Sequence, residues 1–81
     1  MVRVRLFAAL REAAGVSELT EPAGRLGEIL GRLRDRYGER FSAVLATASV
    51  LVDGGRRGDP ATEVADGAEI ALLPPFSGGS R

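Results

Sequence analysis

Residues Val2 to Gly15 read VRVRLFAALREAAG, and the hydrophobic period changes within them. Through Phe7 the pattern alternates, with Val2, Val4 and Leu6 on one face and Arg3, Arg5 and Phe7 on the other, the period of a half-buried strand. From Ala8 to Ala14 helix formers take over and stop at Gly15, so a helical turn closed by a left-handed glycine is expected. A short strand over Val16 to Thr20 then returns beside the first, and Pro22 ends it, because proline has no N–H to give to a ladder.

Further along, Leu26, Ile29, Leu30, Leu33 and Tyr37 form one stripe of an amphipathic helix over Arg25 to Tyr37, with Gly38 as its cap. Gly27 and Gly31 inside it each cost roughly 1 kcal/mol against alanine, so tertiary packing has to hold the helix, and the glycines suit a close approach to the sheet. Phe41 to Ala48 reads as a loop or a second short helix. Val50-Leu51-Val52 is a brief strand ended by the hairpin signal Asp53-Gly54-Gly55, and Gly58-Asp59-Pro60 and Asp66-Gly67 mark further turns. The last strand, Ala68 to Leu73, puts Ile70 and Leu72 on one face and Glu69, Ala71 and Leu73 on the other, and Pro74-Pro75 stops it.

The order strand, strand, helix, two short strands, last strand predicts an α+β domain in which one main helix packs across a mixed sheet. The most apolar strands, first and last, are expected at its centre and parallel. This is the pattern of a β-grasp, ubiquitin-like domain, here covering residues 1–75, with residues 76–81 as a flexible C-terminal tail.

Composition narrows the function. The chain has 81 residues, 44% hydrophobic and 27% charged, which is one domain's worth with a modest core. No apolar run approaches the roughly 18 residues that span a bilayer, and the alternating N-terminus is unlike a secretion signal, so a cytoplasmic protein without membrane contact is expected. Eleven basic residues balance eleven acidic ones, which argues against nucleic acid as a partner. Every basic residue is arginine, and Cys, His and Lys are all absent. The chain therefore has no thiolate, imidazole base, Schiff-base amine or soft zinc ligand, and neither catalysis nor a bound cofactor or metal of its own is expected.

What core packing does not require is the ending Pro74 to Arg81, PPFSGGSR. Two prolines stiffen the exit from the last strand, and Gly78 and Gly79 carry no side chain, so their backbone fits a narrow channel in another protein's active site. By itself a near-terminal diglycine is a weak signal, since Gly54-Gly55 repeats it elsewhere. Behind a proline-terminated last strand of a β-grasp pattern it gains weight.

Two segments, VRVRLFAALREAAG (Val2 to Gly15) and DGAEIALLPPFSGG (Asp66 to Gly79), resemble the ubiquitin-like sulfur carriers of the MoaD/ThiS type, above all the small subunit of molybdopterin synthase. The resemblance implies that Gly79 is the reacting residue, with Gly78 beside it. A partner, an E1-like activating enzyme, uses ATP to adenylate the glycine carboxylate, and sulfur then displaces AMP to leave a thiocarboxylate. Delivery is to the large catalytic subunit of molybdopterin synthase or to another sulfur-acceptor enzyme, such as one serving cysteine or thiamin synthesis. The carrier contributes no side chain to either step, in agreement with the missing Cys, His and Lys.

Two features depart from that family. It ordinarily ends at the second glycine, whereas Ser80-Arg81 follow here and leave Gly79 without a free carboxylate. Either a peptidase removes them, or they were appended to the native end, or the chain is an inactive paralogue. The turn Asp53-Gly54-Gly55-Arg56-Arg57 is also more polar than the family's. Strand alternation places Phe7 and Leu73 on the sheet face away from the helix, so Phe7, Leu73 and Phe76 are read as an apolar strip leading to the tail. Arg11 lies at its edge, and Pro74, Pro75 and Ser77 complete the partner-binding set. Alternatively, the loop near Phe41 to Ala48 covers that face, or the domain is a non-catalytic binding module with an incidental diglycine.

Overall fold

The structure, a computed structural model, describes residues 1–75. Strand β1 (Val2–Leu6) and helix α1 (Ala8–Ala14) lead to β2 (Glu18–Glu21), β3 (Gly24–Arg25) and helix α2 (Leu26–Leu45). Then come β4 (Ser49–Val52), β5 (Gly55–Arg56), β6 (Glu63–Val64) and β7 (Glu69–Leu73). The main sheet has five strands in the order β2-β1-β7-β4-β5, and β3 and β6 form a separate two-stranded ribbon. β1 and β7 are parallel, with Arg3 opposite Glu69 and Leu6 opposite Leu72, while β2 and β4 flank them antiparallel. The architecture is the expected α+β β-grasp.

Alternation along the two central strands makes the core. Val2, Val4, Leu6, Ile70 and Leu72 point to the helix side and are at most 1% exposed. Against them pack Leu10 of α1 and Leu26, Ile29, Leu33, Phe41 and Leu45 of α2. Of the expected helical stripe, Leu30 and Tyr37 are only half-buried, at the rim of this core. Glu21, at the end of β2, is buried with its carboxylate between Arg32 Nε at 2.7 Å and Arg36 Nη2 at 3.2 Å, which ties the edge of the sheet to the helix. A carboxylate so deep needs those partners, since an unpaired buried charge is strongly unfavourable.

Several boundaries differ from the sequence reading. β2 begins at Glu18 rather than Val16, because the left-handed Gly15 sets the return and the Leu6 N–H reaches the Ser17 carbonyl before the ladder starts. Gly38 does break the helix, with φ 86° and ψ −164°, but helical turns resume at once. Phe41 to Leu45 therefore continues α2 past a kink and buries Phe41 in the core instead of forming a loop over the open face. The β3–β6 ribbon was missed, as two-residue strands have no period to read.

The glycines of α2 also act otherwise than expected. The Leu26 and Gly27 N–H groups donate to the Thr62 and Pro60 carbonyls, which satisfies the open start of the helix with loop backbone. That loop is turned by Asp59, whose side chain accepts the Ala61 N–H. A Cβ on Gly27 would lie 2.9 Å from Pro60 Cβ and 3.2 Å from its carbonyl oxygen, so this glycine admits the loop, not the sheet. A Cβ on Gly31 would meet nothing within 4 Å. Thermal unfolding should separate them. Gly31→Ala is expected to stabilise the domain by up to about 1 kcal/mol, whereas Gly27→Ala lowers the midpoint.

Candidate functional site

β7 lies between β1 and β4, so the chain leaves the domain from the middle of the sheet at Leu73. Pro74 is half-buried at the exit and Pro75 exposed. Phe76, Ser77, Gly78 and Gly79, with Ser80 and Arg81, lie outside the described residues. The site near the exit is therefore built from the sheet face opposite α2.

That face has two halves. At the start of β7, Glu69 accepts from Arg3 Nη2 at 3.0 Å and Arg5 Nη1 at 3.3 Å, and Glu18 of β2 adds a second carboxylate 3.3 Å from Arg3 Nε. The hydrogen bonds from Arg3, then from Arg5, hold the Glu69 carboxyl below the usual carboxylate range. Asp53 locks the same end. It exchanges backbone and side-chain hydrogen bonds with Glu69, its own N–H reaching the Glu69 carbonyl and its carboxylate taking the Glu69 N–H.

Toward the exit the face turns apolar. Phe7 keeps an extended backbone, φ −125° and ψ 148°, so it continues the alternation of β1 onto the open face. The chain then turns sharply through Ala8, whose φ of 52° is unusual for a residue with a Cβ. The Arg5 guanidinium lies 5.3 Å from the centre of the Phe7 ring, a cation–π distance. On β7, Ala71 and Leu73 share this face, and the register of β4 sets Leu51 opposite Ala71 and Ser49 opposite Leu73. Phe7 and Leu73 are half-buried rather than exposed, as central strands flanked on both sides shield one another. Arg11 is exposed on the last turn of α1.

The structure thus brings Phe7, Leu73 and Pro74 to the exit end. Leu51 is the residue the sequence reading passed over: the two-residue turn Asp53-Gly54 sets only its pairing with Arg56, and the β4–β7 register puts it beside Ala71. The polar turn at Arg56 and Arg57 lies on the far edge strand, with Arg56 opposite Leu51. Among the described residues there is no pocket and no cluster of side chains suited to a metal, and no helix is long and apolar enough to cross a membrane. What this arrangement presents is a sheet face that turns apolar toward the point where the chain leaves β7.

Residues 4–79 match the model of the ThiS family. The chain belongs to that family. Its members are ubiquitin-like sulfur carriers, and solved structures agree with the assignment. The small archaeal modifier protein 1 of Methanosarcina acetivorans is 32% identical, with a TM-score of 0.83 over 96% of this chain and 95% of that one. The complex of subunits 1 and 2 of the molybdopterin-converting factor from Helicobacter pylori matches at 26% identity and TM-score 0.71, over 96% and 97% of the two chains. The BexX/CysO complex of Amycolatopsis orientalis matches at TM-score 0.80 over 98% and 100%, and at 21% identity that likeness is one of fold. No curated protein sequence matches the chain significantly.

The ion network on this ThiS-family sheet has a testable pH signature. A carboxyl whose folded-state value is depressed stabilises the fold above the ordinary carboxylate range, and the contribution fades as pH falls through the folded value. Denaturation midpoints of wild type and Glu69→Gln should therefore differ at neutral pH, with the variant weaker. The two curves are expected to converge in acid. A constant gap at every pH would show that Glu69 acts through packing instead of charge.

Proposed function

We propose that the chain is a sulfur carrier that works through Gly79, most directly in molybdopterin synthesis, once Ser80 and Arg81 have been removed by a peptidase. The observation that carries this reading is the family match itself, which runs through the last strand and both tail glycines to Gly79. In the first step a Gly79 carboxylate oxygen attacks the α-phosphorus of ATP on an activating enzyme, and pyrophosphate leaves. A sulfur nucleophile then adds to the acyl carbon, and AMP departs to leave the thiocarboxylate. On the acceptor enzyme the thiocarboxylate sulfur bonds to the acceptor substrate, and water then cleaves the acyl–sulfur bond to return the Gly79 carboxylate. All side-chain chemistry comes from the partners, which suits a chain lacking Cys, His and Lys.

The partner is held by the face at the exit. Phe7, Leu73 and Pro74 give an apolar surface, Pro75, Phe76 and Ser77 follow them in the sequence as further contacts for the partner, and Arg11 offers a cation to a partner carboxylate. The Helicobacter pylori relative, solved as a complex of subunits 1 and 2, supports docking of this kind.

A second reading has the activated Gly79 joined to an amine of another protein; the 32% identity to a small archaeal modifier protein favours it. Both readings need activation, and mass spectrometry separates them. Protein ending at Gly79, given an activating enzyme, ATP and a sulfur donor, is expected to gain the mass of sulfur replacing oxygen, and failure to do so sinks the carrier reading. ATP–pyrophosphate exchange should occur with the Gly79-terminated form and not with chain ending at Arg81. Equal exchange from both would remove the need for trimming.

Docking is checked separately. Phe7→Ala should weaken binding to the partner at least about tenfold, the loss usual for truncating an aromatic anchor. Calorimetric titration measures this, and wild-type affinity would move the docking face to Arg56 and Arg57.

A further inference from the structure

The two border strands of the main sheet, β5 and β2, are finished differently. On β5 the Arg57 N–H donates to the Val50 carbonyl, so Arg56, one residue earlier, turns its main chain outward. The Arg57 side chain closes that side. Its Nη1 donates to the Arg56 carbonyl at 2.9 Å, and the guanidinium lies 3.1 Å from where a Cβ on Gly55 would stand. An edge whose acceptor is already taken is a poor template for another strand.

At the other border β2 is open. The Leu6 N–H donates to the Ser17 carbonyl, and bonded pairs alternate along an antiparallel ladder, so Val4–Leu19 and Val2–Glu21 are hydrogen-bonded pairs and Arg5–Glu18 and Arg3–Thr20 are not. The N–H and C=O groups of Glu18 and Thr20 therefore point away from β1, and among the described residues no backbone group meets them. Both residues are exposed.

The side chains along this edge define what it accepts. On the helix side Leu19 packs half-buried against the core, and Glu21, two residues on, is buried under Arg32 and Arg36. Two cations thus face one carboxylate, and they remain 41% and 50% exposed. Arg32 gives Nε to Glu21 and Nη2 to the Pro22 carbonyl, and Arg36 gives Nη2 to Glu21. A guanidinium has five N–H donors, so both can take a further acceptor. On the open side Glu18 already has Arg3 as its partner, 3.3 Å away.

We propose that the β2 edge binds an extended segment of a partner protein that carries a carboxylate two residues from an apolar side chain. The segment adds a sixth strand, antiparallel to β2, which is the more stable pairing for so short a ladder. Its main chain meets the outward groups of Glu18 and Thr20, its apolar side chain lies beside Leu19, and its carboxylate reaches Arg36 and Arg32 beside Glu21. Residues opposite Leu19 and Glu21 share one face because strand side chains repeat every two residues. A second copy of this chain fits less well. Pairing two β2 edges about Leu19 sets Ser17 opposite Glu21 and brings those arginines no carboxylate, and four residues a side fall short of the roughly 1,200 Å² of a stable interface. β1 stands between β2 and β7, so this site is separate from the exit face and independent of chemistry at Gly79.

The probe is the blocked peptide Ser-Asp-Thr-Val-Thr-Val-Ser, titrated into isotope-labelled protein and followed by nuclear magnetic resonance. The amide signals of Glu18 and Thr20 are expected to move most, and their hydrogen exchange to slow. Replacing the peptide's Asp by Lys should weaken binding several-fold at low salt, with the difference closing near about 1 M salt. Thr20→Pro removes an outward N–H that the fold does not use, so the thermal midpoint should stay near wild type while binding falls at least about tenfold. Unmoved Glu18 and Thr20 amides would overturn the proposal, as would a Lys peptide that binds equally well or a Thr20→Pro variant of wild-type affinity. Largest shifts at Phe7 and Leu73 would place the peptide on the exit face instead, and concentration-dependent shifts without peptide would give the edge to a second copy; either result also overturns it. Failure of Gly79 to be activated would defeat the carrier reading and leave these results standing.

Discussion

The rest of the fold depends on the parallel pairing of β1 with β7. Parallel neighbours cannot be joined by a tight turn, so the chain between Leu6 and Glu69 has to cross over the sheet, and α2 is the segment that does so. Crossing on one side makes that side dry. Val2, Val4, Leu6, Ile70 and Leu72 are buried there against Leu26, Ile29, Leu33 and Phe41, while among the described residues no layer covers the opposite side. The same pairing puts Met1 and Leu73 at opposite ends of the two central strands, and strands on both sides hold the last residues of β7 in place.

A bare sheet face between charged edges invites association, and this one divides the task. Arg3, Arg5, Glu18 and Glu69 neutralise one another at the end remote from the exit, so that end offers a partner little that is not already satisfied. Near the exit, Phe7, Leu51, Ala71 and Leu73 offer contact area with few hydrogen-bonding groups to desolvate. Arg5 belongs to both halves, bound to Glu69 and lying over Phe7. Polarity thus falls along β7 from its charged start toward the exit, with no pocket among the described residues.

The candidate site was legible where it depended on strand period. The outward placement of Phe7, Glu69, Ala71 and Leu73 follows from alternation about the buried Leu6, Ile70 and Leu72, because successive side chains on a strand must take opposite faces. Leu51 was not assigned, since its place requires knowing that β4 pairs with β7 and in which register. Half-burial of Phe7 and Leu73 was likewise out of reach, being a property of neighbours brought from distant parts of the chain. Gly27 had a visible cost in a helix, but its reason, the approach of Pro60, lies in a loop more than thirty residues away in sequence.

The amino-acid sequence by itself determined the strand, helix and turn periods, the left-handed stop at Gly15, the break at Gly38, and a tail whose glycines follow two prolines. It also determined which chemistry the chain lacks, because composition alone decides whether a thiol, an imidazole or a lysine amine exists. These are local or additive properties. Only the tertiary structure decided which residues meet: Glu21 between Arg32 and Arg36, the Pro60–Thr62 loop on the start of α2, Asp53 on Glu69, and Leu51 beside Ala71. Such meetings depend on strand register and on the path of the crossover, which are set by the joint packing of the whole core, so no single stretch of the sequence contains them.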